Sequence, residues 1–207
     1  MSALGAPISH HLDLHRYWLA KRGERKLPSR SELDPMHIPA VLPYVMLVER
    51  VELQYRYRLI GSALTRQLGC DVTSAVVGSQ FSNASEAIAA KRAIYDRVFA
   101  NAHAVLASVE LDTSSGGVHN ILQLLLPLSD NGVEVNMVIS SLIARFNILG
   151  PAAGGDLRRL PVVVRNVIDI DATADLERLC LEWERSCFSS TAGDAGAPAT
   201  RNSHFAA

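Results

Sequence analysis

Three β-rich runs follow one another at residues 105–111, 118–128 and 133–144, and the spacers between them, Ser114-Ser115-Gly116-Gly117 and Asp130-Asn131-Gly132, are very short. A parallel connection needs a dozen residues or more, so runs joined this closely pair as antiparallel neighbours. Asn131-Gly132 is the strongest hairpin signal in the chain. A second antiparallel pair lies far upstream: residues 44–51 are rich in β-formers, Tyr55, Tyr57 and Leu59 alternate with Arg56 and Arg58, and the turn falls near residues 52–54. Between the pair and the later triplet the chain reads as helical or irregular. Gly61 permits a sharp exit, residues 62–68 have helical periodicity, and residues 72–81 are irregular, with Gly78 as a breaker. Asn83 with Glu86 three residues on has capping-box spacing, and Ile88, Tyr95, Val98, Phe99 and Ala102 form one stripe of a long helix.

The flanks add helices. Leu12, Tyr17, Trp18 and Leu19 recur at helical spacing through residues 10–22, with Gly23 as the stop. Residues 27–31 read as a polar loop, and Asp34-Pro35 opens a short helix through Met36, Ile38, Val41 and Leu42 that Pro39 and Pro43 keep short. Downstream, residues 150–155 have linker composition, residues 162–170 fit one more strand, and residues 174–187 fit a helix. The fold class that follows is α+β: a five-stranded antiparallel sheet with helices on one face, plus N-terminal and C-terminal helical extensions. The division along the chain is a flexible N-terminus at 1–11, a core domain at 12–146, a C-terminal appendage at 147–188 and a disordered tail at 189–207.

Several function classes lose support at this point. With 20 Lys and Arg against 21 Asp and Glu, the net charge of -1 supplies no field for nucleic-acid phosphates or an anionic membrane surface, so neither is an expected partner. The longest apolar run, residues 121–128, is interrupted by Gln123 and Pro127 and falls far short of the roughly 20 residues a membrane helix needs. Cys70, Cys180 and Cys187 form no CxxC pair and no signal-peptide pattern opens the chain, which points to a reducing cytoplasm. No GxSxG, HExxH, Walker A or GxGxxG motif occurs, so an enzyme is not expected.

The chain resembles a PAS family common among short alphaproteobacterial proteins in which that fold stands alone. The resemblance covers residues 12–146 and is carried by Tyr17-Trp18, Leu27-Pro28-Ser29-Arg30, Asp34-Pro35, Ile38-Pro39, Leu42-Pro43, Tyr57-Arg58-Leu59-Ile60-Gly61-Ser62, Gly69, and Leu125-Leu126-Pro127-Leu128-Ser129 before the Asn-Gly turn. It implies a PAS-like sheet in which the first two strands pair as a hairpin and the last three as a meander. It also implies a sensory or regulatory module without known catalysis. Cys70 and Ser74 stand where similar proteins tend to carry a charged residue and a glycine.

The residues expected to line a ligand pocket are Tyr57, Arg58, Tyr95, Phe99, Leu122, Gln123 and Leu124. Arg58 suits either a clamp on a ligand carboxylate or phosphate, or a structural pair with a carboxylate such as Asp71. Gln123 shares a strand face with His119 and Ile121, and both faces of that strand are too apolar for sequence alone to decide which lines the pocket. Cys70 lacks the Asn-Cys-Arg-Phe context of flavin-binding relatives and reads as structural, and Cys180 and Cys187 read as packing residues. His103, at the end of the long helix, occupies the element that carries the haem ligand in some relatives, yet is equally accounted for by the helix dipole. His10, His11, His15 and His119 lack metal-site spacing and read as surface residues. No cofactor is assigned, because neither a haem nor a flavin signature is present. The expected function is a module that binds a small apolar or aromatic ligand, a signalling protein, or both, and acts by contact, with a homodimer as one such contact. The alternative is a ligand-free scaffold with a filled core.

Overall fold

In the computed structural model, residues 7–68, 70–81, 83–112, 118–146 and 162–189 are described. The expectations for residues 1–6, Gly69, the 114–117 spacer, the 150–155 linker and the tail beyond Ser189 lie outside the described residues. In chain order the elements are α1 (Ser9–Arg22), β1 (Val45–Val51), β2 (Gln54–Ile60), α2 (Ser62–Leu68), α3 (Ala84–Asn101), β3 (Ala104–Asp112), β4 (Val118–Leu128), β5 (Met137–Phe146), β6 (Val162–Ile170) and α4 (Thr173–Ser189).

All six strands join one sheet in the order β2-β1-β5-β4-β3-β6. The hairpin and the meander meet where β1 runs antiparallel to β5, with Val45 opposite Ser141 and Leu47 opposite Ile139. The sheet is one strand larger than the expected five. β6 pairs along β3 from Ala104–Ile170 to Leu111–Val162, and a bulge between Ser108 and Val109 adjusts the register. The extra strand covers an edge whose backbone groups are otherwise open to unwanted pairing. At the opposite edge, residues 74–77 run beside β2: Tyr57 N–H donates to the Ala75 carbonyl at 3.1 Å, and Val77 N–H to the Tyr55 carbonyl at 2.9 Å.

Helices cover both faces of the sheet, rather than one. Alternation sends Leu122, Leu124, Leu126, Leu106 and Ile143 to one side, where they pack with Leu12, Leu14 and Trp18 of α1 and Leu176 and Cys180 of α4. Val105, Ala107, Leu125, Val138 and Met46 point the other way, toward Ile94, Tyr95 and Val98 of α3 and Leu64 of α2. The two extensions expected at the chain ends therefore supply the second layer. α1 begins at Ser9, within the stretch expected to be flexible.

Local chemistry departs from expectation at several points. The capping box belongs to Ser29 and Glu32, which open a 3-10 turn at Arg30–Glu32 within the expected loop. Asn83 makes no side-chain cap; its Oδ1 accepts the Val162 N–H at 3.2 Å, fastening β6 to the start of α3. Asp34 does accept the Met36 N–H at 2.9 Å, but the prolines break the expected short helix into 3-10 turns at Pro35–His37 and Leu42–Tyr44. Asn131-Gly132 does not form a tight two-residue hairpin. Asn131 Oδ1 accepts from Ser129 Oγ and from the Val133 and Glu134 amides, holding a wider loop, so that β5 starts at Met137. Gly61 is required by crowding: a Cβ there would run into the carbonyl oxygens of Leu42 and Pro43. Pro127 is tolerated in a central strand because the β3 ladder reaches only to Leu125, and its carbonyl accepts the Trp18 indole N–H at 2.8 Å.

Candidate functional site

Between α3, α2, the 77–81 turn and the sheet lies a chamber of about 50 Å³. Its walls are mostly apolar, with Leu64, Val77, Val109, Ile121 and Leu142 among them. Five side chains bring polar groups into the lining: Tyr57, Gln80, Lys91, Tyr95 and Gln123.

Lys91 is 6% exposed and sits on the buried stripe of α3, between Ala87 and Tyr95. Its ammonium donates to Gln123 Oε1 at 2.9 Å. Among the described residues it makes no ion pair, and burial alone lowers its pKa to about 8. It is therefore mostly charged at neutral pH, inside an apolar wall, with one neutral acceptor for three N–H donors. An isolated buried cation of this kind carries a desolvation cost that a single amide does not offset.

The neighbouring groups do not supply the missing acceptor. The Lys91 bond fixes the Gln123 amide, so its Nε2 donates onward to Tyr95 Oη at 3.3 Å and to Ser140 Oγ at 3.4 Å. Gln80 Oε1 accepts the Gly78 N–H at 3.1 Å, which turns its Nε2 toward Tyr57 Oη at 3.0 Å. The Tyr57 oxygen thus accepts, and no acceptor for its own O–H is found among the described residues. Burial raises the Tyr57 phenol to about 12 and pushes Tyr95 up as well, so both keep their protons. The wall is rich in donors and short of acceptors.

Of the seven residues expected to line a pocket, Tyr57, Tyr95 and Gln123 meet at this chamber. Phe99 lies farther along α3, its ring 5.1 Å from that of Tyr55. Leu122 and Leu124 face the other side of the sheet, in the α1–α4 core, because they alternate with Gln123. Arg58 also points away from the chamber: its Nε stands 3.3 Å from Glu49 on the adjacent strand, while Asp71, the carboxylate proposed for it, binds Thr73 instead. Lys91 was missed, although a lysine three residues after Ile88 and four before Tyr95 stands on an apolar helical stripe. That spacing is the signal that could have found it.

The other face holds two histidines that read as surface residues in the sequence but are buried. His11 Nε2 lies 3.2 Å from the Leu122 carbonyl, which can only accept, so this nitrogen carries the proton and Nδ1 accepts from Ser141 Oγ at 2.6 Å. His15 Nδ1 is 3.0 Å from Thr173 Oγ1 at the start of α4. Burial holds His11 down to about 3 and His15 to about 4, so both are neutral. Cys180, in the same core, has its thiol pushed up to about 12 by burial, and Cys187 is raised for the same reason, which makes both poor nucleophiles. Cys70 is half-buried beside the α3-side core. His103 is exposed beyond α3, 4.0 Å from Asp171, and does not line the chamber.

Among the described residues, no helix is long and apolar enough to cross a membrane, and no cluster of His, Cys, Asp and Glu could hold a metal ion. The sequence model of a family described as the PAS domain matches residues 8–143, nearly two thirds of the chain. No curated protein matches it.

Proposed function

Since the chain belongs to the PAS domain family, whose members are sensory and regulatory modules, we infer that it senses a small ligand in the α3-side chamber and passes the signal on by protein contact. The observation that carries this reading is Lys91, a buried ammonium in a mostly apolar chamber with no carboxylate against it among the described residues. A core designed only for packing has no use for such a group, and replacing it by an apolar side chain would cost nothing.

A route to the opposite face runs through adjacent residues on two central strands. Gln123 lines the chamber and donates to Ser140 on β5, while the adjacent residues, through the Leu122 carbonyl and the Ser141 hydroxyl, hold His11 of α1. A ligand that repositions Gln123 shifts β4 against β5 and changes how α1 and α4 sit on the sheet. In this reading the chamber belongs to a sensing unit at residues 12–146, and the appendage at 147–188 contributes the output surface. α4 offers the exposed Leu181 to a signalling protein or a second copy of the chain.

The test is a thermal-shift survey of small neutral, acidic and basic compounds on the wild type and on Leu142→Trp, which fills the chamber. Some compounds of about four or five heavy atoms should stabilise the wild type and leave the filled variant unmoved. If no compound stabilises the wild type, the ligand reading falls and the protein is a scaffold with a packed core.

A further inference from the structure

We propose that the chamber's ligand is a short aliphatic monocarboxylate, held head-first by the Lys91 ammonium and the Tyr57 hydroxyl with its alkyl chain among Leu64, Val77, Ile121 and Leu142. The proposal rests on the sensing role inferred above and names the chemistry of the ligand.

Three independent features narrow the class. The first is charge: one cation, 94% removed from solvent by the 6% exposure of Lys91, with no ion pair among the described residues, is balanced by one negative charge. A phosphate dianion would leave a second charge uncompensated in an apolar wall. The second is the direction of the hydrogen bonds. Lys91 has donors to spare after Gln123, and Tyr57 accepts from Gln80 without finding an acceptor for its own proton. A carboxylate brings acceptors and no donor, whereas an ammonium or a guanidinium would bring donors to a wall already crowded with them. The third is size. About 50 Å³ accommodates roughly four water-sized bodies, since one such body needs about 10–15 Å³. An aromatic ring does not fit, because an engineered cavity that takes benzene measures about 150 Å³. Acetate and propionate match the space, butyrate being as bulky as benzene, and the apolar lining favours propionate of the two.

The lowered pKa of Lys91 agrees with this picture, as the ammonium lacks a counter-charge in the free protein. Among the described residues no other charged group lines the chamber, and the titratable neighbours there are the protonated phenols of Tyr57 and Tyr95.

The test uses the full chain at constant ionic strength, with calorimetric titration and thermal shift by acetate, propionate, butyrate and hexanoate, the amides of the same lengths, and propylamine. Propionate should bind best and acetate less well, butyrate, hexanoate and propylamine should not bind, and the amides should bind at least about tenfold more weakly than their acids, the scale of a hydrogen bond to a charged group. Lys91→Met, which keeps the volume of the wall, should weaken the acids by about tenfold to a hundredfold and leave the amides nearly unchanged. Tyr57→Phe should weaken the acids by a smaller factor. If amides bind as well as acids, or if Lys91→Met retains full acid binding, the carboxylate assignment is overturned while the sensing role stands. If no member of either series, and no compound of the wider survey, stabilises the wild type, both are lost together.

Discussion

The two faces of the sheet bury ionisable groups in opposite ways. On the α1–α4 side, His11 and His15 are stripped of charge, and each ring meets hydroxyl or carbonyl partners in a core of closely packed leucines. On the α3 side, Lys91 keeps its proton at neutral pH, has a single amide for a partner, and borders empty space. The first arrangement is what a structural interface needs, because the two neutral imidazoles are matched within the chain. The second leaves an electrostatic debt that something from outside the chain can discharge. Two cores built on the same strands thus differ in one respect that separates support from sensing: whether the fully buried ionisable side chain is neutral and matched, as His11 is, or charged and short of acceptors, as Lys91 is.

Acid should break the first face before the second. His11 has its pKa depressed from 6.5 to about 3 and His15 to about 4, so the unfolded chain binds protons that the folded chain refuses. Stability is then fully present above pH 6.5 and is lost as pH falls through the window from 6.5 toward 3, by as much as about 5 kcal/mol for His11 alone. Denaturant titrations at successive pH values from 7 to 4 should show this slope, and His11→Gln should flatten it. An unchanged slope in that variant would mean that His11 is not held neutral.

A cavity-forming substitution should separate the faces next. Leu124→Ala, in the closed core, is expected to cost about 3–4 kcal/mol, whereas Leu142→Ala, which enlarges existing space, should cost about half as much. Equal losses by chemical denaturation would indicate that both faces are packed alike. At alkaline pH the α3 face should respond in its turn. The folded pKa of Lys91 lies near 8 against 10.5 in the unfolded chain, so stability rises with pH between 8 and 10, by about 1–3 kcal/mol. Above pH 10 the raised Tyr57 and Tyr95 act in the reverse sense, because the folded chain then holds protons the unfolded chain releases. Lys91→Met should abolish the alkaline rise. Arg58→Ala, which removes an exposed pair with Glu49 and touches neither core, should change stability by less than about 0.5 kcal/mol.

The strands were legible because period-two alternation and Gly or Asn spacers leave a pattern that survives folding. The hairpin of β1 and β2, the three-strand run and the later 162–170 strand can all be read directly from it. What sequence could not decide was which face of β4 meets which helix, since Ile121, Leu125 and Gln123 alternate with leucines that are equally apolar. The site was legible only in part for the same reason. Gln123, Tyr57 and Tyr95 announce themselves as polar or aromatic residues in apolar surroundings, yet Leu122 and Leu124 share their strand and point away. Lys91, His11 and His15 were lost to a general expectation that charged and polar residues on helices face solvent. Their burial depends on partners more than 30 residues away in sequence, Gln123, Ser141 and Thr173, and long-range pairing of that kind leaves no local trace. Asn83 illustrates the same limit at smaller scale: its capping spacing was right, but a tertiary bond to Val162 took the side chain.

The contrast between the faces is tested most directly by methyl NMR of the full chain titrated with propionate. The account predicts saturable shifts at Leu64, Val77, Ile121 and Leu142, with smaller changes propagated to Leu12 and Leu14 on α1, and a midpoint raised by about tenfold or more in Lys91→Met. Shifts centred instead on Leu124, Leu126 and Leu176, or no saturable shift at any of these methyls, would contradict it.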